Sequence, residues 1–344
     1  MSENSSGSAL PEIPHRAAVV TGGAGFIGSH LTEALIRAGV RVTVIDDFSS
    51  GRAENLAAVA DSPLLTVVTA DICREWRVDS AVDVVFNLAS PASPPRYLVR
   101  PQHTLRTNSQ GMQRVIDLAV SRNARLVQAS TSEVYGDPLR HPQTEDYWGN
   151  VNPIGPRSVY DEGKRFAEAL IAAYVRQGAL DAGIVRIFNT YGPRMRIDDG
   201  RVVPSFIDRA LRGEPLEVYG DGKQTRSFCF VEDLVAGLLE MAAAPGVLGP
   251  VNLGNVEEIT MVDLARLVGE AVGRPPRVVH RPLPVDDPVR RRPDISLARE
   301  LFGWRPVTGL RTGLERTVRW QRSAGLAVAG APRDREFTAG SGNH

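Results

Sequence analysis

The stretch AAVVTGGAGFIGSHLTEALIRAG (17–39) constrains the fold more than any other part of the chain. Residues 17–22 form a short, continuous apolar run, as a strand covered on both faces requires. Residues 26–39 carry apolar side chains at helical spacing and stop at Gly39. Gly23-x-Gly25-x-x-Gly28 lies between them and lets the backbone turn directly from strand into helix. The same alternation continues downstream. Strands are expected over 40–46, 64–71, 82–89, 124–131 and 182–188, and helices over 103–121 and 158–177. The runs are rich in Val and Ile and mostly unbroken, so the expected class is α/β, a doubly wound parallel sheet.

After about residue 190 the texture changes to shorter elements separated by Gly- and Pro-rich turns. A Rossmann-type domain is therefore expected over 16–190. A smaller, mixed, mostly helical substrate lobe is expected over 191–328, part of it returning to the edge of the main sheet. The ends, 1–15 and 329–344, are polar and expected to be poorly ordered. Lys plus Arg and Asp plus Glu stand at 40 each, which gives no charge bias towards nucleic acid or an anionic membrane. The two cysteines, Cys73 and Cys229, are far apart and fit a reducing compartment. No apolar run is long enough to span a bilayer, and no signal-peptide core is present, so a cytoplasmic protein is expected. His103, His141 and His280 show no metal-ligand spacing, and no metal is expected.

A glycine-rich turn between strand and helix lets a pyrophosphate approach the backbone and rest on the helix N-terminus. Asp46 closes the next strand, where a carboxylate meets the adenosine ribose hydroxyls and repels a 2′-phosphate. This favours NAD over NADP, although Arg41 and Arg52 lie nearby. Asp71 and Ile72, after the third strand, are placed to meet the adenine.

The segment SVYDEGKRFAEAL (158–170) puts Tyr160 and Lys164 at i and i+4, on one face of a helix. A free phenol has a pKa near 10, too high for a base at neutral pH. Lys164 and a positive nicotinamide ring would both favour the phenolate and bring it towards the working range. Tyr160 could then accept a proton from a sugar hydroxyl while the carbon beneath gives hydride to NAD. Lys164 would also hold the nicotinamide ribose, and Thr131, at the end of the strand before STSEVYGD, would hydrogen-bond the reacting oxygen.

The glycine turn, Tyr160-x-x-x-Lys164 and Thr131 together resemble the extended short-chain dehydrogenase/reductase family, which modifies nucleotide sugars. The resemblance spans residues 16 to 324. Within the family, NLASPASPPRYLVRPQHTLRTN, ASTSEVYGDP, RIFNTYGPRM, VYGDGKQTRSF and DDPVRRRPDI are similar to the branch that decarboxylates UDP-glucuronate. The resemblance implies NAD contacts from Gly22, Gly25, Phe26, Ile27, Gly28, Leu88, Ala89 and Thr107. It implies UDP-sugar contacts from Pro94, Arg96, Tyr97, Asn189, Arg201, Val203, Tyr219 and Arg226, with Arg290 or Arg291 reaching the sugar carboxylate. Arg96 departs from the Asn or His expected there. The family also implies a homodimer built through the helices 103–121 and 158–177.

Ser132-Glu133 beside Thr131 bears on the reaction. The family's 4,6-dehydratases carry an Asp-Glu pair there, and its 4-epimerases carry a small or neutral residue in place of Glu133. One carboxylate suits a sugar held in a single pose. Transient oxidation at C4 would make glucuronate a β-keto acid, which loses carbon dioxide, takes a proton at C5 and recovers its hydride. UDP-glucuronate 4-epimerisation and branched-pentose (apiose-type) synthesis are the alternatives. A cofactor-holding sensor without turnover would be expected to lack Thr131, Tyr160 or Lys164, and all three are present.

Overall fold

A computed structural model describes residue 11, residues 13–282 and residues 290–325. The expected terminal tails lie largely outside these residues, although Ile13 packs against the core and His15 bonds the Ala242 carbonyl. The first six strands are β1 (Ala17–Thr21), β2 (Arg41–Asp46), β3 (Leu65–Thr69), β4 (Val84–Asn87), β5 (Arg125–Thr131) and β6 (Ala182–Ile187). With Val251–Leu253 they form a seven-stranded parallel sheet, in the order 251–253, β6, β5, β4, β1, β2, β3. β1 sits between two neighbours, with Val20 beside Val44 on one side and Phe86 on the other. β3 is the exception to the expected burial. It is the last strand in the order and has one neighbour, so its residues are half-buried or exposed.

Helix α1 (Phe26–Arg37) follows the glycine turn and buries Leu31 and Leu35. Next come α2 (Pro94–Val99), α3 (Pro101–Arg106), α4 (Met112–Arg122) and α5 (Ser158–Arg176). One sheet face packs on α1 and on α7 (Val231–Ala242), through Leu31, Leu35, Leu234 and Leu238. The other face packs on α4 and α5, through Met112, Ile116, Ala167 and Ile171. Segment 89–97 runs into α2. Pro94 and Pro95 occupy its first turn, where a missing N–H costs nothing.

The single helix expected over 103–121 is divided. A π-helical turn, Thr107–Gly111, separates α3 from α4. The side chains of Thr107, Asn108 and Ser109 each bond the carbonyl four residues back, at 2.9, 2.9 and 2.7 Å. Three consecutive side chains thus compete with the backbone for helix carbonyls and widen the turn.

The second lobe contains α6 (Val202–Arg212), α8 (Met261–Val272) and α9 (Leu310–Ser323) around buried Ile207, Leu264 and Leu314. Short strands support them: Leu216–Tyr219 pairs with Val278–Arg281, and Thr225–Ser227 lies between Glu258–Thr260 and Arg290–Arg291. The strand 251–253 comes from this half of the chain and completes the main sheet. It is fixed sideways by Asn252, whose amide donates to the Gln143 and Asp294 carbonyls and whose carbonyl accepts from the Tyr135 hydroxyl.

Candidate active site

Between the sheet's carboxyl edge and the lobe lies a cavity of about 750 Å³. The residues that the sequence nominates for cofactor, substrate and catalysis line it, except Arg290, whose side chain lies outside the described residues, and Gly23 of the glycine motif. The chemistry-bearing side chains come from the ends of β2, β5 and β6, the start of α5 and the short strands of the lobe.

The glycine turn uses Gly22, Gly25 and Gly28, whereas Gly23 packs behind it. A Cβ on Gly23 would strike the Val44 side chain at 2.7 Å, and Gly23 does not line the cavity. Gly22 has φ +71°, a left-handed conformation, and a Cβ on Gly28 would lie 2.1 Å from the Gly22 carbonyl oxygen. The closest packing is therefore inside the turn, and it brings the α1 N-terminus against the cavity. Asp46 is fixed by the Ala24 and Phe48 N–H groups, each donating to one carboxylate oxygen at 2.9 Å. Burial raises its pKa despite these bonds. Asp71, Ile72, Leu88, Ala89 and Thr107 line the same end. Asp71, Cys73 and His103 place donor atoms within 4.8 Å of one another there, a grouping that sequence spacing did not reveal. Burial pushes the Cys73 thiol up to about 11. The residues present fit NAD: the turn excludes side chains where a pyrophosphate needs backbone, and a fixed carboxylate closes β2.

Tyr160 and Lys164 are both buried at the start of α5. Tyr97 stacks on Tyr160, with centroids 5.2 Å apart and planes at 2°. The Tyr97 hydroxyl is buried without a hydrogen-bond partner. Burial raises the Tyr160 pKa above that of a free phenol, opposed by Arg201 and by the hydrogen bond with Thr131. Lys164 is tied to the end of β5. Its Nζ donates to the Ala129 carbonyl at 2.8 Å and lies 5.8 Å from the Tyr160 ring centre. Burial lowers its pKa to about 8, partly offset by Glu168.

Glu133 is the most heavily engaged carboxylate in the cavity. Arg291 forks onto it at 2.6 and 3.1 Å, and Arg157 reaches Oε2 at 2.5 Å. Burial would raise its pKa, but Arg291 and Arg157 outweigh burial and hold it below the usual range. Arg157 was not singled out from the sequence. Its only signal was its place just ahead of the Tyr160 helix, and helix capping explains an arginine there less well than this ion pair does.

The proposed substrate residues occupy the rest of the wall. Arg226 and Arg291 are register partners on neighbouring strands, and both are buried. Arg201 donates to the Ala92 carbonyl at 2.8 Å and pairs with Asp199 at 3.1 Å. Arg96 pairs with Asp198 at 2.7 Å, and Arg196 shares that carboxylate. Arg96 thus joins α2 to the lobe across the cavity mouth. Pro94, Asn189, Val203 and Tyr219 complete the lining.

The pattern of the NAD dependent epimerase/dehydratase family matches residues 18–254. UDP-glucuronic acid decarboxylase 4 of Arabidopsis thaliana is 52% identical over 88% of this chain and 67% of its own length. UDP-glucuronic acid decarboxylase 1 of Xenopus tropicalis is 48% identical over 91% of this chain and 74% of its own length. Among solved structures, the dTDP-glucose 4,6-dehydratase DesIV of Streptomyces venezuelae, with NAD bound, is 30% identical at a TM-score of 0.78. That likeness covers 90% of this chain and 98% of the dehydratase.

Proposed function

The chain belongs to the NAD-dependent epimerase/dehydratase family, and from that footing we propose that it decarboxylates UDP-glucuronate to UDP-xylose. The observation that carries this reading is Glu133, a lone carboxylate clasped by Arg157 and Arg291 beside Thr131 and Tyr160. A second carboxylate for expelling a C6 hydroxyl is replaced by Ser132. The clasped Glu133 also suits a sugar kept in one pose.

Gly22, Gly25, Gly28, Asp46 and Lys164 hold NAD in this reading. When bound, NAD accepts hydride from C4 and returns it there, so no net oxidation accumulates. Tyr160 accepts the C4 hydroxyl proton, with Thr131 bonding the same oxygen. Arg291 engages the sugar carboxylate. Breaking the bond from C5 to the carboxylate leaves its electron pair on the C4 oxygen as an enolate, and Tyr160 and Thr131 stabilise that oxygen by hydrogen bonding. C5 then gains a proton from a water positioned by Glu133 or Tyr160. Asn189 and Arg226 grip the diphosphate, and Arg201, Val203 and Tyr219 flank the uridine.

Among the described residues no helix is long and apolar enough to cross a membrane. The reading places the enzyme in the cytoplasm as a homodimer that pairs α3, α4 and α5 with their copies. Leu105, Val120 and Phe166 on these helices are exposed and supply an apolar face.

Mass spectrometry of UDP-glucuronate incubated with the protein and NAD tests the reaction. Loss of carbon dioxide to a UDP-pentose, with carbon-bound deuterium at C5 in heavy water, is the expected result. A product of unchanged mass and altered retention would replace this reading with 4-epimerisation.

A further inference from the structure

Asp161 is a buried carboxyl beside the reaction centre that none of the steps above uses. It follows Tyr160 on α5 and does not itself line the cavity. Its Oδ1 is buried without a hydrogen-bond partner. The charged and titratable groups acting on it are Glu133 after β5, Arg157 and Glu162 around the start of α5, and Arg291 from the lobe. Tyr97 from α2 and the adjacent Tyr160 share its field.

The charges of this cluster can be added. Arg157 and Arg291 are positive, and Glu133, held between them, is negative. With Asp161 ionised the four groups sum to zero. With Asp161 neutral they retain one positive charge. The proposed substrate differs from an ordinary UDP-hexose by one carboxylate, which needs that charge at C5.

We propose that Asp161 is a positioning residue that carries a proton while substrate is bound, leaving Glu133, Arg157 and Arg291 with one positive charge for the sugar carboxylate. This rests on the decarboxylase reading. Burial, and next Glu133, push the Asp161 carboxyl up to about 7, against Arg157 and Arg291, so its proton is exchangeable at neutral pH. A bound carboxylate adds a further negative charge and raises the affinity of Asp161 for its proton. By linkage, that proton strengthens the grip on the carboxylate equally.

The test is calorimetric titration of the NAD-loaded Tyr160→Phe enzyme, chosen to hold substrate without turning it over. UDP-glucuronate is titrated near pH 7.5 in buffers of different ionisation heat. Uptake of about half a proton per site is expected, since about one unit of coupling takes the carboxyl from roughly a quarter to roughly three-quarters protonated at that pH, and none with UDP-glucose. Kd for UDP-glucuronate should weaken about tenfold between pH 6 and pH 8.5, the effect of about one unit of coupling. In the Tyr160→Phe/Asp161→Asn enzyme it should change less than twofold. No proton uptake, or the same pH dependence with and without Asp161, overturns the proposal. A double variant that does not fold leaves the proton count to decide. Wild-type enzyme that releases no carbon dioxide from UDP-glucuronate would instead sink the decarboxylase reading, which separates the two failures.

Discussion

Glu133 keeps its charge at 15% side-chain exposure because two guanidinia face it. Glu133→Gln removes the carboxylate that both arginines contact and should cost about 3 kcal/mol in urea unfolding, since breaking a buried ion pair is expensive. The pH dependence has a definite sign. A carboxyl whose folded pKa is depressed contributes stability above its unfolded pKa and loses it as pH falls through the folded one. Wild type should therefore lose more stability than Glu133→Gln below about pH 4, and equal acid sensitivity would refute the ion-pair account. Gly28→Ala tests the turn. Its Cβ would meet the Gly22 carbonyl at 2.1 Å, and overpacking by about 2 kcal/mol corresponds to roughly thirtyfold weaker NAD binding by fluorescence titration. Thr131, Glu133, Tyr160 and Lys164 were legible in the sequence because they lie in two short segments. Asp161 stands within the second segment and Arg157 immediately before it, and both were passed over, since what gives them meaning is the charge of Glu133 brought alongside by the fold. Arg291 is 158 residues from Glu133, and only the folded lobe selects it over its neighbours in RRR.

At the scale of elements, the six strands expected before residue 190 all form, because unbroken Val and Ile runs bounded by turns admit little else. Two features were not legible. Apolar pattern alone did not mark β3 as an edge, since strand order is set by the crossovers. Nor did it mark the π turn at Thr107–Gly111, where side-chain hydroxyls and an amide decide the geometry. The same helices carry the proposed dimer face, with Phe166 at 49% and Leu105 at 41% exposure. Phe166→Glu combined with Leu105→Glu should give a monomer in sedimentation velocity while leaving the circular dichroism spectrum intact. A dimer that survives both changes would place the interface elsewhere.

Across the whole molecule, the cavity joins sheet and lobe, so a ligand that fills it ties the two together. NAD at a hundredfold over its Kd should add about 2.7 kcal/mol and raise Tm by roughly 4 °C in scanning fluorimetry. A shift near zero would argue against a cofactor held between the two halves. The strand Val251–Leu253 has its own consequence for anyone recombining such enzymes. It is made after the lobe's first helices yet forms the border of the cofactor sheet beside β6. A chimaera joined once near residue 190 would thus take its sheet border from the second parent. The Asn252 contacts to Gln143 and Tyr135 would then have to match across the graft. Exchanging sugar specificity between relatives calls for two seams that leave this strand with its original sheet.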